Sequence, residues 1–559
     1  MSSPAPTQRQ WRNLGAGTKE IVRPARHPDS DALARESAAA RPPASRVDVL
    51  FVNPPTPDGK IWIRSQHRVG RRSRENMIWP QVSLAQLAAM LHPTFSVSII
   101  DAVAERLDWK AFEARVRELR PRYYVTHVTA ATLQNDLYGT FLAKSVGAVT
   151  MAFGTFITPM PRETLRNFPT LDYGLRGEPD LTVRDLIDHL EGRQFARPPE
   201  VDRMFAAHDP SYRPQEIAAG SDGGPDLSAM KGLVWRQRGE ICVNPDRPFV
   251  ALDDLPMPLH HLLPLQQYRM PLVKGPFSFI VTSRGCPAGC IFCIKHVSYG
   301  PTIRLRSAAK LVEEVAELYR LGIRNVHMFA DLFTYSREQV VDLCQGLLQS
   351  GMSIRWTCNS RVDFVDKELL VLMRRSGCWC IAWGVDSGSP EILAAARKSI
   401  PLERTVQSLH WSREVGILNW GYFVIGLPGE TEATIKQTIA FSKALPLDIA
   451  LFHVASPYPG TPFFEQVAKN GWFRPGVRWE DVNMDECTVI DYPHLSAERL
   501  EYWQKRAFQE WALRPRPILT YAKMLLTDGR TLRSAVDIGL QHLTWKRGHQ
   551  KTRSVGAGG

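Results

Sequence analysis

The 559-residue sequence predicts an α/β protein made of two parallel-sheet units in series, followed by a helical C-terminal region, and three observations carry that expectation. Short β-branched and aromatic runs alternate with amphipathic stretches from about Arg46 to Arg193. The alternation then dissolves into Pro, Gly and Asp over 194–275, as in "DPSYRP" and "GSDGGPDLS". It resumes over 276–475 with about six further strand-like runs separated by helical ones.

In chain order, residues 1–45 are rich in Pro, Ala, Ser and Arg, lack the apolar core of a secretory signal and read as a disordered leader. "RVDVLFVNPP" is an apolar strand stopped by two prolines. The helical "VSLAQLAAMLHP", strand "FSVSIID", helix "WKAFEARVRELRP", strand "RYYVTHVT" and a helix and strand ending in "GAVTMAFGTF" follow, which together predict a doubly wound parallel sheet. Such sheets bind ligands beyond the carboxyl ends of their strands, here Asn53-Pro54-Pro55, Asp101, Thr126 to Thr129 and Gly154-Thr155. The connector predicts only a short strand or hairpin around "GLVWRQRGEICVNP". The second unit runs from "FSFIVTSRGC" through "NVHMFAD", "IRWTCNSRVD", "CWCIAWGVDSG", "NWGYFVIGLPG" and "DIALFHVASPYPG", a pattern of a barrel or partial barrel. Residues 476–559 turn helical and Trp/Arg-rich, and there is no internal repeat.

No apolar run is long enough to cross a membrane as a helix. The formal net charge of +12 is spread widely, without a basic stripe interleaved with aromatics, so nucleic-acid binding is not expected and an anionic substrate or cofactor explains the balance as well. Nine cysteines in this length do not make a disulfide framework, and the clustering of three favours a cytoplasmic, reducing setting and a metal site.

Those three, Cys286, Cys290 and Cys293 in "SRGCPAGCIFCIKH", follow an apolar strand and lie on the loop at its carboxyl end. Three thiolates can hold an iron-sulfur cubane with one iron open to another ligand, or a zinc site completed by His296. The spacing with Phe292, followed by "RLRS", "FADLFT", "NSRVD", "WGVDSGS", "GYFVIGLPGET" and "SPYPGTPFF" in order, resembles the radical S-adenosylmethionine (SAM) enzymes over about 200 residues. The resemblance implies a 4Fe-4S cluster on the three cysteines whose open iron chelates SAM and cleaves it to an adenosyl radical. It implies an external electron donor such as a flavodoxin or ferredoxin. It also implies SAM contacts from Asp331, Arg361, Asp386 with Ser387, Gly426 and Tyr458. On the residues alone Asp331 could instead cap a helix, Gly426 serve a turn, and Cys344, Cys358, Cys378 and Cys380 fill a core.

The preceding sheet resembles the Rossmann-like cobalamin-binding domain of the B12-dependent branch of that family, ending in "YGLRGEP" with Gly177 and Glu178. That implies cobalamin beside Thr126, Thr129, Gly154, Thr155, Gly177 and Glu178, although Phe153 stands where a glycine is usual. "SQHRVG" offers His67 as a lower cobalt ligand but places Ser65 where the carboxylate that orients such a histidine belongs, which favours cobalamin without a histidine ligand. The loop carrying it, with Arg74 and Trp79, covers the corrin or meets substrate. The function implied is methyl transfer from methylcobalamin to an unactivated carbon of a natural-product, tetrapyrrole or lipid-like substrate. An oxidative cyclase of the anaerobic tetrapyrrole kind is the alternative and a non-catalytic cobalamin sensor a remoter one.

Overall fold

The structure is a computed structural model that describes residues 47–192, 227–476 and 488–527, with 67, 74 and 75 excepted and 203, 207 and 484 in addition. The expected leader, most of the first half of the connector, His67 and Arg74 lie outside the described residues.

The first sheet has seven strands in the order β4-β1-β5-β6-β7-β8-β9. Its parallel members are β1 (Val49–Asn53), β4 (Val97–Asp101), β5 (Tyr123–His127), β6 (Val149–Phe153) and β7 (Tyr173–Leu175). Strands β1 and β5 are buried at every position, which is why they read as continuous apolar runs. β8 (Leu233–Gln237) and β9 (Glu240–Val243) form the hairpin foreseen in the connector, and they extend this sheet antiparallel through β7. Arg238 and Gly239 both take positive φ there, the geometry of a tight two-residue hairpin turn.

Helix α1 (Val82–Leu91) buries nine of its ten residues. A helix apolar all round has two neighbours, and α1 packs on both the first sheet and strand β10 (Phe277–Val281) of the second. By contrast α2 (Trp109–Leu119), capped by Asp108 accepting from the Ala111 amide, buries only Phe112 and Val116. α3 (Leu133–Lys144) and α4 (Pro179–Leu190) complete the doubly wound arrangement.

The second sheet is six parallel strands in sequence order: β10, β13 (Asn325–Phe329), β14 (Arg355–Ser360), β15 (Cys378–Asp386), β16 (Leu418–Ile425) and β17 (Ile449–Val454). Its first and last strands do not pair, so it is a partial barrel. Helices α5 (Ala308–Arg320), α6 (Arg337–Gln349), α7 (Lys367–Arg375), α8 (Leu402–Glu414) and α9 (Glu432–Ala444) intervene. α10 (Ala497–Ala512) packs against β17 and α9, with Gln504 donating to the Phe452 carbonyl. α11 (Pro515–Thr527) follows.

The Arg-rich segment read as a plain loop is instead a hairpin of β2 (Trp62–Ser65) and β3 (Arg68–Arg72). Its arginines obscured it, because Arg64 is fully buried and pairs with Asp136 while also donating to the Pro54 carbonyl.

Asp101, the last residue of β4, ties the first sheet to the connector. It accepts from Asn53 Nδ2 at 2.7 Å and from Tyr268 Oη, on the connector, at 3.0 Å. Burial pushes its carboxyl from 3.8 up to about 6. The folded state therefore binds this proton more tightly than the unfolded chain, and ionising it destabilises the fold by about 3 kcal/mol, absent below pH 3.8 and complete above pH 6. Asp101→Asn removes the titration. Between pH 4 and pH 7 the difference in unfolding free energy between the two proteins should move by about that amount in favour of the variant. A gap that does not change with pH would show that the carboxyl titrates at its ordinary value.

Candidate active site

β10 runs through Thr282 into β11 (Ser283–Gly285), which pairs with β12 (Ile303–Leu305) and projects the cysteine loop over the carboxyl end of the barrel. Gly285 has φ +90, and a Cβ there would lie 2.1 Å from the Thr302 carbonyl oxygen, so only glycine permits this crossing. The Gly285 amide donates to Asp331 Oδ2 at 3.0 Å, tying the loop to the segment after β13. Lys295, itself buried, donates to the Cys286 carbonyl.

Cys286, Cys290 and Cys293 line a cavity of about 350 Å³ together with Asp331, Arg361, Asp386 and Tyr458. Seven of the residues expected at the SAM and cluster site thus converge from four strand ends and one loop. Ile63 and Arg71 of the β2–β3 hairpin close the cavity from the first unit.

Burial raises all three thiols above their ordinary range, and Cys293, with Asp331 adding to the effect, is pushed up to about 12. Three cations oppose this. Lys295 lies near Cys286 and Cys290, Lys398 and Arg361 near Cys290, and Arg361 Nη1 stands 3.8 Å from the Cys290 sulfur. Such surroundings favour thiolate once a metal displaces the protons. Among the described residues no three His, Cys, Asp or Glu gather tightly enough to hold a single metal ion. His296 Nε2 donates to the Cys290 carbonyl at 3.0 Å, so its ring braces the loop.

Lys398 was not singled out by sequence, yet it is buried, donates to the Gly384 carbonyl at 2.7 Å and forms an ion pair with Asp386. Asp386 has φ +63 at an irregularity in the β15–β16 ladder. No local signal in "AAARKSI" separates Lys398 from its neighbour Arg397.

Two expected SAM contacts are not among the cavity lining. Ser387 Oγ is fully buried against Thr438 Oγ1 at 3.0 Å and accepts from the Ser389 amide. Gly426, with φ +94, donates to Glu430 Oε2 and accepts from Tyr492 Oη at 2.9 Å, so it shapes a turn under α10. Burial pushes Glu430 up to about 7. Cys344, Cys358, Cys378 and Cys380 are buried free thiols, as core cysteines are.

At the carboxyl ends of the first sheet, Thr126 Oγ1 donates to the Val52 carbonyl, and Thr129 is bound to Asp136 and Thr132. Gly154 has φ +127 and a Cβ would meet the Val128 oxygen at 2.5 Å; Thr155 is buried beside it. Gly177 donates to Thr158 Oγ1. Glu178 pairs with Arg304 and lies 3.4 Å from Arg284, linking the two units, where the buried Arg284 guanidinium needs a carboxylate. Around the β1 and β5 ends, Asn53 Oδ1, Ser65 Oγ, Gln66 Nε2 and both ring nitrogens of His127 are buried without partners among the described residues. Burial lowers His127 to about 3, leaving it neutral. In open parallel sheets the switch point between strands is where ligands bind.

Residues 280–442 match the model of the radical SAM superfamily. The chain is 28% identical over 448 residues to an uncharacterized methyltransferase of Pyrococcus horikoshii, covering 79% of this chain and 89% of that one. It is 23% identical to the anaerobic magnesium-protoporphyrin IX monomethyl ester cyclase of Cereibacter sphaeroides, covering 70% and 60%. In fold it is similar to the radical SAM methyltransferase TsrM of Kitasatospora setae, solved with cobalamin and a 4Fe-4S cluster bound. The TM-score is 0.59 at 18% identity, with 87% of this chain and 91% of that chain covered.

Lys398→Met strands the buried Asp386 carboxylate and should lower stability by about 3 to 5 kcal/mol in chemical denaturation. The double variant Lys398→Met, Asp386→Asn, which removes the stranded charge and keeps a residue that tolerates positive φ, should recover much of that loss; a double variant as unstable as the single one would show that the charge pair is not the cause.

Proposed function

We propose that this chain is a cobalamin-dependent radical SAM enzyme that methylates an unactivated carbon of a small molecule. The observation that carries the reading is the convergence of Cys286, Cys290 and Cys293 with Asp331, Arg361 and Asp386 on one cavity at the carboxyl end of the barrel. Beside it, around the ends of β1 and β5, the first sheet leaves buried polar atoms without partners among the described residues.

The three cysteines hold the 4Fe-4S cluster, Asp331 the SAM ammonium group, Arg361 its carboxylate, Asp386 the ribose hydroxyls and Tyr458 the adenine side. Cobalamin would be held at the ends of β1, β5 and β6, by Asn53, His127 and Gly154. Bound there, these groups supply an electron, a hydrogen-abstracting adenosyl group and a methyl donor, the combination that an unreactive carbon requires.

The chain's own residues prepare the site. Lys398 orients Asp386, which a positive φ alone would leave strained. Arg361, Lys295 and Lys398 balance the anionic thiolates in a setting of low dielectric. The β2–β3 hairpin contributes Ile63 and Arg71 to the cavity wall. Residues 46–193 form the cobalamin unit and 276–475 the SAM unit, and an external one-electron donor completes the system. Among the described residues no helix is long and apolar enough to cross a membrane.

Anaerobically reconstituted protein given SAM and a strong reductant should form both 5'-deoxyadenosine and S-adenosylhomocysteine. The similarity to the cyclase supports a second reading, under which 5'-deoxyadenosine forms without S-adenosylhomocysteine; formation of neither would sink both. Cys293→Ser should cut bound iron from about four per chain to below about one and abolish both products, whereas Cys344→Ala should retain the iron.

A further inference from the structure

Strands β11 and β12 form the antiparallel ribbon that carries the cysteine loop, and in its register Arg284 stands directly opposite Arg304. Like charges in such a pair push the two strands apart. The ribbon holds because both guanidinium groups close on the start of α4. Arg304 grips both oxygens of Glu178, while Arg284 donates to both oxygens of Asp180 and its Nη1 lies 3.4 Å from Glu178 Oε1. Gly285 and Cys286 follow Arg284 immediately, so the cysteine loop starts from a point that carboxylates of the first unit hold.

The same segment is bonded to the loop at the end of β6. The Gly177 amide donates to Thr158 Oγ1 at 3.0 Å, and Thr158 Oγ1 donates in turn to the Gly154 carbonyl at 3.2 Å. Gly154 has no room to shift, since a Cβ there would already stand 2.5 Å from the Val128 oxygen. A second contact runs beside the first. A Cβ on Gly460 would meet Pro159 at 3.1 Å and Val297, in the helical turn Lys295–Ser298 after the last cysteine, at 3.0 Å. Phe156, Ile157 and Met160 also share an apolar cluster with Tyr458 and Ile294. The β6 loop and the cysteine loop are thus joined twice, by hydrogen bonds that end in ion pairs and by close packing.

Contiguous networks of this kind carry energetic coupling between sites. We propose that Thr158 and Glu178 are positioning residues that couple the two cofactor sites: a corrin held at the end of β6 closes the cysteine loop, and a closed cysteine loop strengthens corrin binding by the same factor. The proposal rests on the reading that the first sheet takes cobalamin and the three cysteines the cluster.

Hydroxocobalamin and iodoacetamide test this in the full-length, iron-free protein, with each cysteine followed by mass spectrometry. Cys286 and Cys290 are buried and react only when their loop opens, whereas Cys242 on β9 is partly exposed and serves as the control. Saturating hydroxocobalamin should slow alkylation of Cys286 and Cys290 about tenfold, a coupling of ordinary size, and leave Cys242 within about twofold. Thr158→Val keeps the side chain's shape and removes both of its side-chain hydrogen bonds. In that variant the slowing should fall below about twofold with hydroxocobalamin still bound. Glu178→Gln weakens the clamp itself and, without ligand, should speed alkylation of both thiols by about tenfold or more. Three results would each overturn the coupling and leave the function proposed above standing. They are bound hydroxocobalamin that leaves the rates of the unaltered protein unchanged, equal slowing in Thr158→Val because the corrin merely covers the thiols, and no acceleration in Glu178→Gln. No binding of hydroxocobalamin to the unaltered protein would sink the cobalamin reading and the coupling together.

Discussion

Arg284 lies two residues before the first cysteine of the loop and is buried between carboxylates of the other unit, donating to Asp180 at 2.8 and 3.2 Å with Glu178 at 3.4 Å. A guanidinium removed from water is tolerable only when it is paired and hydrogen-bonded. Because both carboxylates sit at the start of α4, this one ion cluster fixes the cysteine strand against the first sheet. The relative placement of the two cofactor sites, and of everything the loop carries, depends on it.

The remaining contacts between the units follow from the same constraint. α1 is buried on both sides, Trp79 packs its ring among Phe277, Phe279 and Phe329 of the barrel, and Tyr268 reaches back to Asp101. A single apolar core therefore runs from β1 of the first sheet to α10. Motion of the first unit relative to the barrel would break a buried ion cluster and expose aromatic surface together, so the hairpin over the cavity is held as part of the rigid whole. The polar atoms buried without partners among the described residues include Asn53 Oδ1, Ser65 Oγ, Gln66 Nε2 and both ring nitrogens of His127 around the ends of β1 and β5.

Most of the architecture was legible because its periods are local. Buried parallel strands read as apolar runs, α2 shows one apolar stripe, and Pro54 and Pro55 end β1 where they stand. The cysteine loop was legible for a different reason: three thiols within eight residues have few uses besides metal binding. The β2–β3 hairpin was missed because Arg64 looks like a surface residue until Asp136, 72 positions away, is seen to neutralise it. Glu178 was given to the cofactor because its motif suggests so, whereas its partner Arg304 lies 126 positions further on. Ser387 and Gly426 lie in the right segments but serve Thr438 and Tyr492.

By itself, then, the sequence determined the two parallel-sheet units, their order and the three cysteines, since each of these is written in spacing along the chain. Tertiary structure alone decided which charges meet: Lys398 on Asp386, Arg284 on Asp180, and the cations around Cys290. It also decided that Trp79 and Trp420, on different units, line one cavity. The physical reason is that periodicity records whether a side chain is buried, while the energy of a buried charge or donor depends on the partner across the interface, and that partner has no fixed distance in sequence.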